Sequence, residues 1–210
     1  EEILGVALST GADFAEVYCE LTRNGGIRLL DGKIDSISDN TVSGVGIRAF
    51  LGTRTVYGST SDISREGLLR CAASVAAAMG DSKDERSIKL TERIFPNIHP
   101  VTIVPSTADM KFKTDLLREG CTAAKEYDEK IVQVIGNLIT VDHTIQIANS
   151  DGLFTSDRHI RTRMAIAATA SDGHENQTGF SGPGRGMGLE VFDLFPPREI
   201  GKEAARIAMV

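Results

Sequence analysis

The chain has 210 residues, 41% of them hydrophobic, enough to bury one or two cores at about 100–200 residues per domain. Its 29 acidic residues outnumber 23 basic ones for a formal charge of -6, which argues against a general nucleic-acid surface, because phosphate binding needs clustered Lys and Arg. No run approaches the roughly 18 apolar residues of a membrane span. Cys19, Cys71 and Cys121 are odd in number and widely spaced, so a disulfide framework or paired-cysteine metal site is not expected, and each reads as a small buried hydrophobe. No signal peptide precedes Glu1, so the expected compartment is the cytoplasm.

Residues 1–8 read as the tail of a helix that ends near Ser9-Thr10-Gly11. Residues 12–23 then alternate Ala15, Val17, Cys19 and Leu21 against Glu16, Tyr18 and Glu20, the pattern of a half-buried strand, and Asn24-Gly25-Gly26 is expected to turn it. Next comes the organising stretch, with a hairpin over 27–37 across Asp31-Gly32 and a second over 42–59 across Gly52-Thr53. An Asp-Gly pair tolerates the positive φ angles of a two-residue turn. A helix over 65–79 closes the unit: Ser64 is its expected N-cap, Ile63 is placed to pack on Leu68, and Leu68, Cys71, Ala72, Val75 and Met79 form one apolar stripe before Gly80.

Residues 81–86 are almost wholly polar, and Pro96, Pro100 and Pro105 punctuate the next twenty residues, so 81–105 reads as a surface connector. A second helix is expected from Ser106 to Tyr127, with Asp109 as a capping-box partner. Strand pattern returns over 131–142 and 144–148, turns at Asn149-Ser150-Asp151-Gly152, and resumes over 153–156. The longest alternation sets Ile160, Thr162, Met164, Ile166 and Ala168 against His159, Arg161, Arg163, Ala165 and Ala167, so one face is buried and the near end of the other is basic. A Gly-rich segment, 179–188, reads as a flexible loop before a last helix that begins after Pro196-Pro197. This order predicts an α+β fold with antiparallel or mixed sheets and helices on one face: units 1–80 and 106–210 joined by the connector, with an internal duplication as one reading of the element order.

Four features bear on chemistry. His174-Glu175 looks like the start of a zinc-binding HExxH helix, but residue 178 is Thr, and Asp172-Gly173 sets a turn where a helix is required. Gly182, Gly184, Gly186 and Gly188 suggest a phosphate cradle without its register, and a loop that lets another backbone approach closely is the better reading. Arg158, Arg161 and Arg163 can bind an acidic peptide or phosphate, or simply form a solvated sheet face. The histidines at 99, 143, 159 and 174 have no spacing that one element turns into a metal site, and no nucleophile, base and orienter set is legible.

The run Gly11-Ala-Asp-Phe-Ala-Glu-Val-Tyr through Ile27-Arg28-Leu29-Leu30-Asp31-Gly32-Lys33-Ile34, then Gly44-Val45-Gly46-Ile47-Arg48 and Gly58-Ser59-Thr60-Ser61, resembles the N-terminal domain of the TldD/PmbA family, whose members are also called modulators of DNA gyrase. Gly182-Pro-Gly-Arg-Gly-Met-Gly188, followed by Lys202-Glu-Ala-Ala-Arg-Ile-Ala-Met-Val, is similar to the TldD branch more than to the PmbA (TldE) branch. The resemblance covers nearly all of the chain. It implies a cytoplasmic zinc metallopeptidase that acts on extended or unfolded peptides, assembled as a homodimer or a TldD/TldE-type heterodimer; from charge and apolar run length, no membrane or direct nucleic-acid partner is expected. The family's HExxxH zinc motif belongs to a C-terminal domain, so the resemblance carries no catalytic or metal residue onto this chain, and zinc is expected in that missing domain. His174-Glu175 is not that motif, since residue 179 is Gly. The expectation is therefore a non-catalytic domain that shapes the substrate chamber and dimer, with Gly184, Arg185, Gly186, Arg161 and Arg163 as candidate substrate contacts. A stand-alone peptide-binding adaptor is the alternative, and a nucleotide-binding enzyme using the Gly-rich loop a third.

Overall fold

The computed structural model describes residues 1–80, 83 and 86–210; residues 81, 82, 84 and 85, part of the expected connector, lie outside the described residues. In chain order the elements are α1 (Glu2–Leu8), β1 (Phe14–Leu30), β2 (Lys33–Leu51), β3 (Arg54–Thr60), α2 (Arg65–Met79), β4 (Thr91–Glu92), α3 (Met110–Lys125), β5 (Ile131–Asn149), β6 (Leu153–Ser171), β7 (Asn176–Ser181), β8 (Gly184–Arg185), α4 (Val191–Leu194) and α5 (Pro197–Ala208). The fold is α+β, as its element order predicts. Strands run in the order β3-β2-β1-β5-β6-β4, with β7 and β8 also paired to β6. The β3, β7 and β8 pairings are antiparallel and the two-residue β4 is parallel to β6. Among the described residues no helix is long and apolar enough to cross a membrane.

Two expected breaks are absent. β1 runs straight through Asn24-Gly25-Gly26, and its buried side chains Ala15, Val17, Ile27 and Leu29 keep one parity from end to end, so no residue is inserted. The glycines serve lateral packing instead of a turn: a Cβ on Gly25 would stand 2.6 Å from Thr140 Oγ1, and one on Gly26 2.6 Å from Ser38 Oγ. Likewise β2 continues through residues 38–41, so the two expected hairpins share one strand and form a β1-β2-β3 meander. The turns themselves stand where their residues put them. Asp31 and Gly32 take φ 48° and 76°, and Gly52 takes φ 57°.

The chain divides into two compact units that are not consecutive in sequence: residues 1–22, 42–97 and 143–158 make one, and 23–41, 98–142 and 159–210 the other. β1, β2, β5 and β6, each 17 to 19 residues long, contribute residues to both. In the first unit, Leu4, Leu8, Ala15, Val17, Val45, Ile47, Ala49, Val75 and Met79 pack α1 and α2 on the strands, each large side chain contributing about 1.5–3 kcal/mol. Ser64 caps α2 as expected, accepting from the Gly67 amide at 3.1 Å, whereas Ile63 is 66% exposed.

In the second unit, Ile27, Leu29, Val134, Leu138, Met164 and Ile166 line one sheet face, covered by Leu117 and Cys121 of α3 and by Ile200, Ala204 and Ala208 of α5. Burial pushes the Cys121 thiol up to about 11, in keeping with a packed, reduced side chain. The helix α3 begins four residues later than expected: Asp109 is itself the cap, its carboxylate accepting from the Phe112 amide at 3.1 Å. The stretch 179–188 is not a free loop either. Gly179 lies within β7, where a Cβ would stand 2.1 Å from the Ala204 carbonyl, so α5 rests directly on its backbone.

Candidate functional site

The alternation of β6 divides its side chains by face. Thr162 is 1% exposed, and its hydroxyl donates to the Met187 carbonyl at 2.9 Å; Arg161 and Arg163 point the other way, onto the sheet face that the helices leave open. There a cleft of about 580 Å³ is lined by Ile139, Val141, Arg161, Thr162, Arg163, Gly182, Gly184, Arg185 and Gly186. All five residues singled out from the sequence thus line one cavity of the second unit.

Their side chains do not all converge. β8 pairs with β6 so that Arg163 stands opposite Gly184 and Thr162 opposite Arg185. Directly opposed residues of an antiparallel pair share a face, so Arg185 turns toward the helix side, where its guanidinium lies 5.4 Å from the Phe195 ring centre. Arg163 remains on the open face. Its Nε donates to the Gly182 carbonyl at 3.0 Å, its guanidinium lies 5.8 Å from the centre of the Phe180 ring, and its stem crosses the bare Gly184, where an added Cβ would meet Arg163 Cβ at 2.9 Å. Arg158 falls in the first unit and is not among the residues that line this cleft.

The far end of the glycine segment is clamped. The Glu190 carboxylate accepts from the Gly188 and Ile103 amides, both at 2.9 Å. Partial burial opposes its charge, but the backbone amides of Ile103, Glu190, Gly188 and Thr102 outweigh that and hold the carboxyl below its ordinary 4.5.

His174 and Glu175 sit in the turn between β6 and β7, their amides both 2.9 Å from Asp172 Oδ1, with Gly173 at φ 90°. A zinc helix cannot occupy that geometry, so these residues do not fit a catalytic zinc. Among the described residues no three His, Cys, Asp or Glu side chains come together as a metal-binding group.

Sequence reasoning missed a polar cluster in the first unit. Tyr18 Oη lies 3.3 Å from His143 Nε2 and 3.4 Å from Glu20 Oε2, and the His143 and Glu20 atoms are 3.5 Å apart. Burial and then the Glu20 carboxylate raise the Tyr18 phenol above its ordinary 10.0. Tyr18 and Glu20 share a strand face at period two, but His143 is 125 residues away and nothing local announces it. Also missed were Ile139 and Val141, the apolar part of the arginine cleft.

Profiles of known families match most of this chain: residues 15–78 match the PmbA/TldA metallopeptidase domain 1, and residues 103–210 match the PmbA/TldA metallopeptidase central domain. Among curated proteins, a metalloprotease TldD homolog of Haemophilus influenzae is 24% identical over 208 residues, 94% of this chain and 42% of that protein. A second, from Buchnera aphidicola subsp. Acyrthosiphon pisum, is 29% identical over 179 residues, 80% of this chain and 36% of the relative. The chain therefore spans about two-fifths of the length of these relatives. Among solved structures, a candidate modulator of a DNA gyrase from Thermotoga maritima superposes with a TM-score of 0.75 at 20% identity, covering 93% of this chain and 44% of the other. TldE from Thermococcus kodakarensis superposes with a TM-score of 0.62 at 18% identity, covering 94% and 44%. At these identities the superpositions speak to the fold.

Proposed function

Since the chain belongs to the TldD/PmbA metallopeptidase family, we propose that it is the non-catalytic part of a TldD-like zinc metallopeptidase and that it captures extended peptides for cleavage elsewhere in the full-length protein. The observation that carries this reading is the free edge of β8 beside an open cleft: β8 pairs with β6 on one side and with no other strand among the described residues. An unpaired edge offers backbone N–H and C=O groups to any extended chain, which suits an enzyme that must accept many sequences. Gly184 and Gly186 keep that edge low, and Ile139 and Val141 of β5 supply apolar surface to the cleft on the far side of β6. The zinc and its general base belong, on this reading, to the remainder of the protein, and the chain's own residues bind and orient the substrate. Assembly as a homodimer or a TldD/TldE-type heterodimer in the cytoplasm completes the proposal.

Strand addition is tested through the substrate's backbone. The full-length protein, stripped of metal by a chelator so that peptides persist, is titrated with a labelled extended peptide and with the same peptide N-methylated at alternate residues. Methylation on the face toward β8 is expected to abolish binding, since each amide then loses its donor. Equal binding of both peptides contradicts capture by strand addition, and failure of the full-length protein to cleave any peptide leaves the adaptor reading.

A further inference from the structure

We propose that the β8 edge selects peptides with acidic side chains two residues apart, read by Arg161 and Arg163. This rests on the peptide-capture reading and adds a side-chain preference to it.

The charge balance is the first observation. In a chain with a formal charge of -6, the residues lining this cleft include three arginines and no Asp or Glu. None of the three pairs with a carboxylate among the described residues.

Register is the second. Arg163 stands opposite Gly184, and Gly186, just past β8, has open space where a side chain would be, its nearest neighbour the Ile160 carbonyl at 3.9 Å. On the open face, then, Arg163 looks across a bare glycine, and Arg161, two residues along the same strand, shares that face. Adjacent strands are about 4.8 Å apart, so a peptide added beyond β8 lies roughly 9–10 Å from β6. An arginine spans that gap only when nothing stands on the strand between. Gly184 and Gly186 leave that path bare, and the Arg163 stem already lies over Gly184. Phe180 and the Gly182 carbonyl hold Arg163 before any ligand arrives, which lowers the ordering cost of binding.

Spacing is the third. Two residues along a strand rise about 6.6–6.8 Å, and alternate side chains of an extended peptide have the same pitch. Carboxylates at i and i+2 therefore meet Arg161 and Arg163 together, whereas adjacent carboxylates point to opposite faces and one of them is wasted. A single phosphate would require both guanidiniums to converge on one point, which side chains standing parallel from one strand do not favour.

The test uses the full-length protein, stripped of metal, and fluorescein-labelled extended peptides with Glu, Gln or Lys at alternate positions of an otherwise constant sequence, read by anisotropy at low salt. The Glu peptide is expected to bind about tenfold tighter than the Gln peptide, the size of one or two charge-assisted hydrogen bonds. That preference should shrink below about twofold in the double variant Arg161→Gln/Arg163→Gln. The charge-reversed Arg161→Glu/Arg163→Glu should prefer the Lys peptide, an exchange that misfolding cannot produce. Gly186→Val, placed where a Cβ has its nearest neighbour at 3.9 Å, should fold and lose part of the preference. Glu and Gln peptides that bind alike, with N-methylation still abolishing both, would overturn the acid preference and leave peptide capture standing. Absence of binding by every peptide would overturn both, and arginine-dependent displacement by a single-stranded oligonucleotide would assign the cleft to nucleic acid instead.

Discussion

Gly188 and Gly186 are two residues apart and ask opposite things of the chain. A Cβ on Gly188 would stand 2.0 Å from the Ile103 carbonyl, a backbone atom that cannot move aside, whereas one on Gly186 has its nearest neighbour at 3.9 Å. Gly188→Ala is expected to lower stability by about 1–3 kcal/mol through overpacking, and Gly186→Ala to stay within about 0.5 kcal/mol, both read as the midpoint of denaturant unfolding. Glu190 fastens the same strap. Because its folded carboxyl titrates below the ordinary 4.5, its contribution is present in full above that pH and is lost as pH falls through the depressed value. Glu190→Ala should cost about 1–3 kcal/mol near neutrality by leaving the Gly188 and Ile103 amides without their acceptor, and should flatten the acid limb of the stability profile. An acid limb unchanged in the variant would assign that pH dependence to other carboxylates.

At the scale of elements, the crossing of α3 and α5 is set by Gly120 and Gly201. A Cβ on Gly201 would lie 1.9 Å from the Gly120 carbonyl. Alanine is the better helix former by about 1 kcal/mol, yet the collision outweighs it, so Gly201→Ala is expected to destabilise by about 1–3 kcal/mol, with circular dichroism showing helix content retained below the transition. A stabilised variant would mean that the helices separate freely. Helices and turns are legible in the sequence because their signals are local: Ser64 before α2, Pro197 opening α5, Asp31-Gly32 and Gly52 at positive φ. Strand length is not. Glycine is an ambiguous mark, and Gly25-Gly26 has the composition of a turn but makes room for Thr140 and Ser38 from neighbouring strands. The candidate cleft is legible in part. Arginines at 161 and 163 and glycines at 184 and 186 stand out from composition and period, but the opposition of Arg163 and Gly184 across β6 and β8 depends on register, which hairpin pattern alone does not fix for a strand that returns after 20 residues. The turn of Arg185 to the helix side is set by that same register.

For the molecule as a whole, family and fold agree. Two family profiles match 15–78 and 103–210, and the same antiparallel-rich α+β architecture carries both stretches. The chain spans only about two-fifths of the curated relatives, which is why its proposed part in the chemistry is to hold substrate rather than to cut it. A catalytic zinc needs about three protein ligands that converge, and His174 and Glu175, the residues nearest to such a motif in sequence, lie in a turn whose backbone amides bond Asp172 rather than on a helix. The measurement that bears most directly on this account is metal analysis of residues 1–210, shown folded by circular dichroism, beside a peptide-cleavage assay with the full-length protein as positive control. Substoichiometric zinc and no cleavage by residues 1–210 are expected under conditions where the full-length protein cleaves. One zinc per chain with chelator-sensitive cleavage by residues 1–210 alone would contradict it.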